Sequence, residues 1–102
     1  MCIRDRVLVV YDHRLPESVG GIIAGRLKEL FQRPVFVLSG EKEPVRGSGR
    51  SIPGYNMFEA LQQAESFLTA FGGHPMAAGL SVEKEKIVPL RTFLNEQCQR
   101  CV

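Results

Sequence analysis

Apolar residues fall along this chain in two periods. VLVVY (7–11) and PVFVLS (34–39) are short, largely β-branched runs, the pattern of buried strands. Between them Val19, Ile22, Ile23, Leu27, Leu30 and Phe31 recur at helical spacing. They predict a helix capped by Ser18 and running to about Gln32. Strand, helix and strand on short links imply a right-handed parallel unit. GEKE then turns the chain into PVRGSGRSI (44–52), read as an irregular third strand. Proline and glycine at the centre of Ile52-Pro53-Gly54-Tyr55 meet the demand of a type II turn. Asn56, with Glu59 three residues on, caps a second helix expected to reach Phe71. Its inward stripe is Met57, Leu61, Ala64, Leu68 and Phe71, which is core spacing rather than a cofactor box. Gly72-Gly73 is expected to end that helix. PMAAGLSV (75–82) reads as a strand of small residues. Glu83 to about Arg100 reads as a last helix with Ile87, Leu90, Leu94 and Cys98 inward. The order β-α-β-β-α-β-α predicts an α/β layered domain with a mixed, mostly parallel sheet flanked by helices.

Length and composition narrow the class. One hundred and two residues make one domain, and 44% apolar with 24% charged residues is ordinary for a globular chain. No apolar run approaches the roughly 20 residues of a membrane helix, and no secretory signal is visible, so no membrane partner is expected. A net charge of +2 does not by itself argue for a polyanion, so that case rests on local placement. Three cysteines, Cys2, Cys98 and Cys101, do not form a disulfide framework and point to a reducing, cytoplasmic setting. A single C-x-x-C without a second ligand pair does not make a zinc site. Residues 1–6, MCIRDR, belong to no element and are expected to be a non-native or truncated start, with the domain in 7–102. EQCQRCV stops without a helix-ending glycine, as a piece of a longer chain does.

Two stretches carry chemistry. RGSGRS (46–51) holds two arginines, two glycines and two serines in six residues. Glycines let backbone approach an anion, Arg50 can fork two bonds onto a phosphate, and Ser48 and Ser51 add hydroxyls. The same composition also suits a solvated loop. In FGGHPMAAG (71–79), Gly72 and Gly73 allow positive φ and bare backbone beside His74. Pro75 biases His74 to extended geometry. His74 is either a donor to a phosphate oxygen or a proton donor, or a histidine satisfied by a backbone carbonyl. Gly20, Gly21 and Gly25 in the first helix do not spell a dinucleotide fingerprint, and no phosphate-loop lysine motif is present. They suggest close packing or close backbone approach.

GSGRSIPGYNMFEAL followed by FGGHPMAAGLSV resembles the RecJ-type single-stranded-DNA-specific exonucleases, in their DHH-associated domain of the first subtype. VLVVY, ESVGGIIAGRLKE, RPVFVLS, SGRS and GGHPMAAG stand in the family's order, and the likeness runs from about Val7 through nearly the whole chain. The resemblance implies a module that grips single-stranded DNA by its phosphates and closes one side of a cleft. A preceding DHH domain would hold two Mn²⁺ or Mg²⁺ ions and cut. By that likeness Ser48, Gly49, Arg50 and Ser51 contact phosphate, and Gly72, Gly73 and His74 form the loop facing the scissile region. The chain itself is then expected to bind no metal and to hydrolyse nothing. Asp12-His13 gives too few ligands for a two-metal centre, since Arg14 follows. Many relatives carry a histidine just before the E-S of ESxxGI, where this chain has Pro16. Two other readings remain: an accessory domain of a small-nucleotide phosphodiesterase, and a stand-alone binding module. The related domain of alanyl-tRNA synthetases fits the SGRS and IPGYN segments less well.

Overall fold

The computed structural model describes residues 7–16, 19–74 and 76–100, with backbone alone for 97–100. The capping role expected of Ser18, the stiffening at Pro75, Cys2, Cys101 and the Cys98 side chain lie outside the described residues. Five strands form one sheet: β1 (Leu8–Asp12), β2 (Val35–Ser39), β3 (Val45–Arg50), β4 (Ala70–Gly73) and β5 (Ala77–Val82). Their spatial order is β1-β2-β3-β5-β4. The sheet is mixed, as expected, but not mostly parallel. Only β1 and β2 run parallel, while β2–β3, β3–β5 and β4–β5 are antiparallel. The short β2–β3 and β4–β5 links reverse the chain, and the longer connection through α2 carries β4 past the place of β5, so that β5 returns antiparallel between β3 and β4.

Helix α1 (Gly20–Phe31) covers one face of the sheet, and α2 (Met57–Gln63) and α3 (Ile87–Arg100) belong to the other. The main core lies on the α2–α3 face, around Phe36, Leu38, Met57, Leu61, Leu80, Leu90 and Leu94. A smaller core of Ala24, Val35 and Val37 lies under α1. β2 is sandwiched between the two and is buried at every position, which explains its unbroken apolar run.

Two expectations about the helices need correction. The second helix stops at Gln63, and after a 3-10 turn (Glu65–Phe67) the chain forms β4. Leu68 and Phe71 fit the helical stripe equally well. The backbone ladder to β5, pairing Phe71 with Leu80 and Gly72 with Gly79, decides for a strand. Gly72-Gly73 therefore lies inside a strand and terminates no helix. In α1 the sheet-facing residues are Gly20 and Ala24, flanked by Ile23 and Leu27. Ile22 and Leu30, expected inward, are 65% and 73% exposed. Small residues at 20 and 24 let the helix backbone approach the strands, so the contact shifts to that side of the helix.

Other expectations hold. The Asn56 side chain accepts from the Glu59 N–H at 3.0 Å. Tyr55 N–H donates to the Ile52 carbonyl and Gly54 has φ +95°, as a type II turn requires. The 44–52 segment contains a regular strand rather than an irregular one. The free edge of β1 is closed by α3. Val7 N–H donates to Asn95 Oδ1 at 2.9 Å, Asn95 Nδ2 donates back to the Val7 carbonyl at 3.1 Å, and Arg91 donates to the Val9 carbonyl at 2.9 Å. Asn95 thus imitates one residue of a neighbouring strand and blunts the edge. Asn95→Leu is expected to lower stability by about 1–3 kcal/mol by leaving the edge amide and carbonyl unmet. A urea titration checks this, with exposed Glu96→Ala as the comparison that shifts stability by less than about 0.5 kcal/mol.

Candidate nucleic-acid interface

The site is built on the alternation of β3. Val45, Gly47 and Gly49 face the main core. A Cβ at Gly49 would stand 2.7 Å from both Met57 Sδ and Phe36 Cδ1, and one at Gly47 would strike Leu38. Arg46, Ser48 and Arg50 therefore face the other way, toward α1. A Cβ built at Gly20 would stand 4.0 Å from Ser48 Oγ and one at Gly21 would stand 2.6 Å from Arg50 Nη2, which agrees with this.

α1 lies over β2 and β3, and on the same face of β4 and β5 Ala70, Gly72 and Gly79 are exposed. On β5 the core takes Ala78, Leu80 and Val82, so Ala77, Gly79 and Ser81 point to the open side. Register carries the face across three strands, with Ser48 opposite Gly79 and Gly79 opposite Gly72. The result is a shallow floor of small residues, walled on one side by α1 and edged by Arg46, Ser48 and Arg50.

The candidate residues divide on this frame. Ser48 and Arg50 reach the open face. Arg50 Nη1 donates to the Gly49 carbonyl at 2.8 Å, and its guanidinium lies beside the first turn of α1. That turn has no acidic residue, and its N–H groups form the positive end of the helix dipole. Guanidinium and helix end together favour an anion. Gly72 and His74 are exposed at the far side of the floor, and His74 N–H closes the β4–β5 hairpin on the Ala77 carbonyl at 2.7 Å. Ala77 pairs with Arg50, so the His74 backbone stands two strand spacings from Arg50, roughly 10 Å.

Ser51, Gly49 and Gly73 take other roles. Ser51 is 1% exposed, and its hydroxyl donates to the Tyr55 carbonyl at 2.8 Å, tying down the type II turn. Its N–H extends the ladder to the Met76 carbonyl. A direct phosphate contact at Ser51 is corrected to a turn-fixing one, because strand alternation turns residue 51 inward. Gly49 is bare for the sake of Phe36 and Met57 and does not present backbone to an anion. Gly73 has φ +144°, and a Cβ there would stand 2.5 Å from Ala78 Cα, so its glycine is a requirement of the hairpin. The sequence marks Ala77, Ala78 and Gly79 as small residues that keep side chains from crowding their neighbours; the strand sends Ala78 to the core and adds Ser81 to the floor, which sequence reasoning missed. The signal for the floor was the small-large alternation of AAGLSV.

No group of three His, Cys, Asp or Glu converges among the described residues. Asp12 Oδ1 and Oδ2 each accept from the Arg14 guanidinium at 3.2 Å. Hydrogen bonds from that side chain, then from the Arg14 backbone, lower the Asp12 pKa below its ordinary value. A cleft of about 520 Å³ opens at the β2–β3 turn between Ser39 and Arg46, away from Arg50 and His74. No helix among the described residues is long and apolar enough to cross a membrane.

The family profile described as DHHA1 domain matches residues 4–100, and the chain belongs to that family. It is 46% identical over 81 residues to the single-stranded-DNA-specific exonuclease RecJ of Bacillus subtilis (strain 168), across 78% of this chain and 10% of that protein. It is 42% identical over 84 residues to the RecJ of Escherichia coli (strain K12), across 78% of this chain and 15% of that one. The chain thus spans between a tenth and a sixth of these relatives. The crystal structure of RecJ from Thermus thermophilus in complex with Mg²⁺ matches with TM-score 0.86 at 29% identity, over 95% of this chain and 15% of that chain. The C-Ala domain of Aquifex aeolicus alanyl-tRNA synthetase shares the fold alone, with TM-score 0.68 at 14% identity, over 87% of this chain and 90% of that one.

The core-facing and open-face glycines are expected to separate in stability. Gly49→Ala overpacks the Phe36–Met57 contact and costs about 1–3 kcal/mol. Gly72→Ala meets open space, with nothing within 4 Å, and gains about 0.5–1 kcal/mol over the parent. Thermal denaturation of the two variants checks the contrast.

Proposed function

We propose that this chain is the strand-gripping module of a RecJ-like single-strand exonuclease working in the cytoplasm. Its residues hold the phosphates of single-stranded DNA, and the hydrolytic step, with Mn²⁺ or Mg²⁺, is assigned to a preceding DHH domain outside these 102 residues. One observation carries the reading. Arg50 and Ser48 stand at the rim of a sheet face that is exposed at Ala70, Gly72 and Gly79. Arg50 supplies a planar, permanently charged fork for a phosphate. Ser48 adds a hydroxyl, and the first turn of α1 adds a positive field. His74, across the floor, is the residue assigned to the scissile side. Family membership supports the same reading, because relatives of the chain are single-stranded-DNA-specific exonucleases.

The 102-residue chain is expected to bind a labelled oligo-dT with a Kd of about 10⁻⁴–10⁻⁶ M that weakens as salt rises. Arg50→Ala weakens binding and flattens the log-log salt slope by about 1. Fluorescence anisotropy at four or five salt concentrations measures both. Binding indifferent to salt and to Arg50 would overturn the grip. Strong preference for a dinucleotide over the long strand would favour the small-nucleotide phosphodiesterase reading.

A further inference from the structure

We infer that Gly21 is a positioning residue, the seat that fixes the Arg50 guanidinium on the rim of the open sheet face. The inference rests on the proposed phosphate role of Arg50 and adds to it the feature that aims that side chain. A Cβ built at Gly21 would stand 2.6 Å from Arg50 Nη2 and 3.4 Å from its Cζ. Those distances leave no room for a methyl group while the guanidinium keeps its place, and because the atom met is the far end of a flexible side chain, a methyl group there displaces the guanidinium rather than the backbone. Gly21 has no positive φ, so backbone conformation does not call for glycine there. The helix gives no reason either, since glycine within a helix is less favourable than alanine. The three nearest atoms that a Cβ at 21 would meet all belong to the Arg50 guanidinium.

The seat works with a second restraint. Arg50 Nη1 is held by the Gly49 carbonyl at 2.8 Å. One side of the guanidinium is thus tied to its own strand while Nη2 lies against the bare turn of the helix. Among the described residues no other protein acceptor takes its remaining N–H groups. A long side chain that otherwise surrenders much rotamer freedom on binding is in this way held before the ligand arrives. Gly25, one turn further along α1, supplies an internal control. A Cβ there meets nothing within 4 Å, so Gly25→Ala brings the helical gain of alanine with no collision.

The test crosses Gly21→Ala and Gly25→Ala, each with Arg50→Ala, in the 102-residue chain. Two quantities are read: Tm without DNA, and oligo-dT affinity across salt. Gly25→Ala is expected to raise Tm by about 4–8 °C whether or not Arg50 is present, and to leave affinity unchanged. Gly21→Ala is expected to raise Tm by that amount only when Arg50 is also replaced. In the parent background it weakens oligo-dT binding about tenfold and flattens the salt slope by about 1, and it adds nothing to Arg50→Ala. Should Gly21→Ala fail to fold while Gly21→Ala/Arg50→Ala folds, the seat is supported by that rescue. Gly21→Ala that matches Gly25→Ala in both quantities overturns the inference. If Arg50→Ala leaves DNA binding unchanged, the phosphate reading fails, and the coupling in Tm between positions 21 and 50 still decides on the seat.

Discussion

The close approach of α1 to β2 and β3 is the constraint on which the rest depends. Gly20 brings the helix backbone near the Val37 carbonyl, and Ala24 is fully buried beside it. A helix seated this low on two strands cannot also shade the next two. β5 and β4 keep one face open while their other face feeds the main core. β5 is antiparallel to both of its neighbours, and antiparallel strands commonly pack one face on the core and leave the other to solvent. Here the open side follows from where a glycine and an alanine let the helix settle.

β3 then serves two purposes at once. Its glycines at 47 and 49 admit Leu38, Phe36 and Met57 on the core side. Its polar residues at 46, 48 and 50 occupy the other side. The composition of RGSGR suggests an anion-binding loop in which glycine backbone does the binding. The strand instead allots the glycines to packing and the side chains to the surface. Residues 50 and 51 are neighbours in sequence with opposite fates. Ser51 is sealed and holds the turn that launches α2, whereas Arg50 lies half-buried at the rim.

Where one period dominated, the chain was legible. The runs at 7–11 and 34–39, the Asn56 cap and the Pro53-Gly54 turn each stated one structure and adopted it. Between Ala64 and Gly73 two periods competed. Leu68 and Phe71 satisfy a helix or a strand, and only pairing with β5, distant information for a local reading, separates them. The α1 face was misread for a related reason. A hydrophobic stripe marks the side that gains most by burial, but a helix can lie closest where its residues are smallest, and Gly20 and Ala24 carry no such mark. Ser48 and Arg50 were legible as site candidates because their chemistry is local. Gly79 was legible as a small residue but not as the neighbour of Ser48, because that place exists only in the register of β3 and β5.

Glycines offer a way to separate the demands of the fold from other demands. At 47 and 49 the core excludes a side chain, at 73 the hairpin does, and at 54 the turn requires positive φ. At 72 neither space nor φ asks for glycine. A strand gives up stability by holding glycine in its interior without a packing reason. The residue sits on the row that begins at Ser48, on the exposed side of the sheet. Its bareness therefore serves no neighbour within the described fold. The same reasoning applied to α1 divides Gly21, which meets the Arg50 guanidinium, from Gly25, which meets nothing. Sorting the glycines by what a Cβ would touch thus separates positions fixed by the core from those that shape the open face.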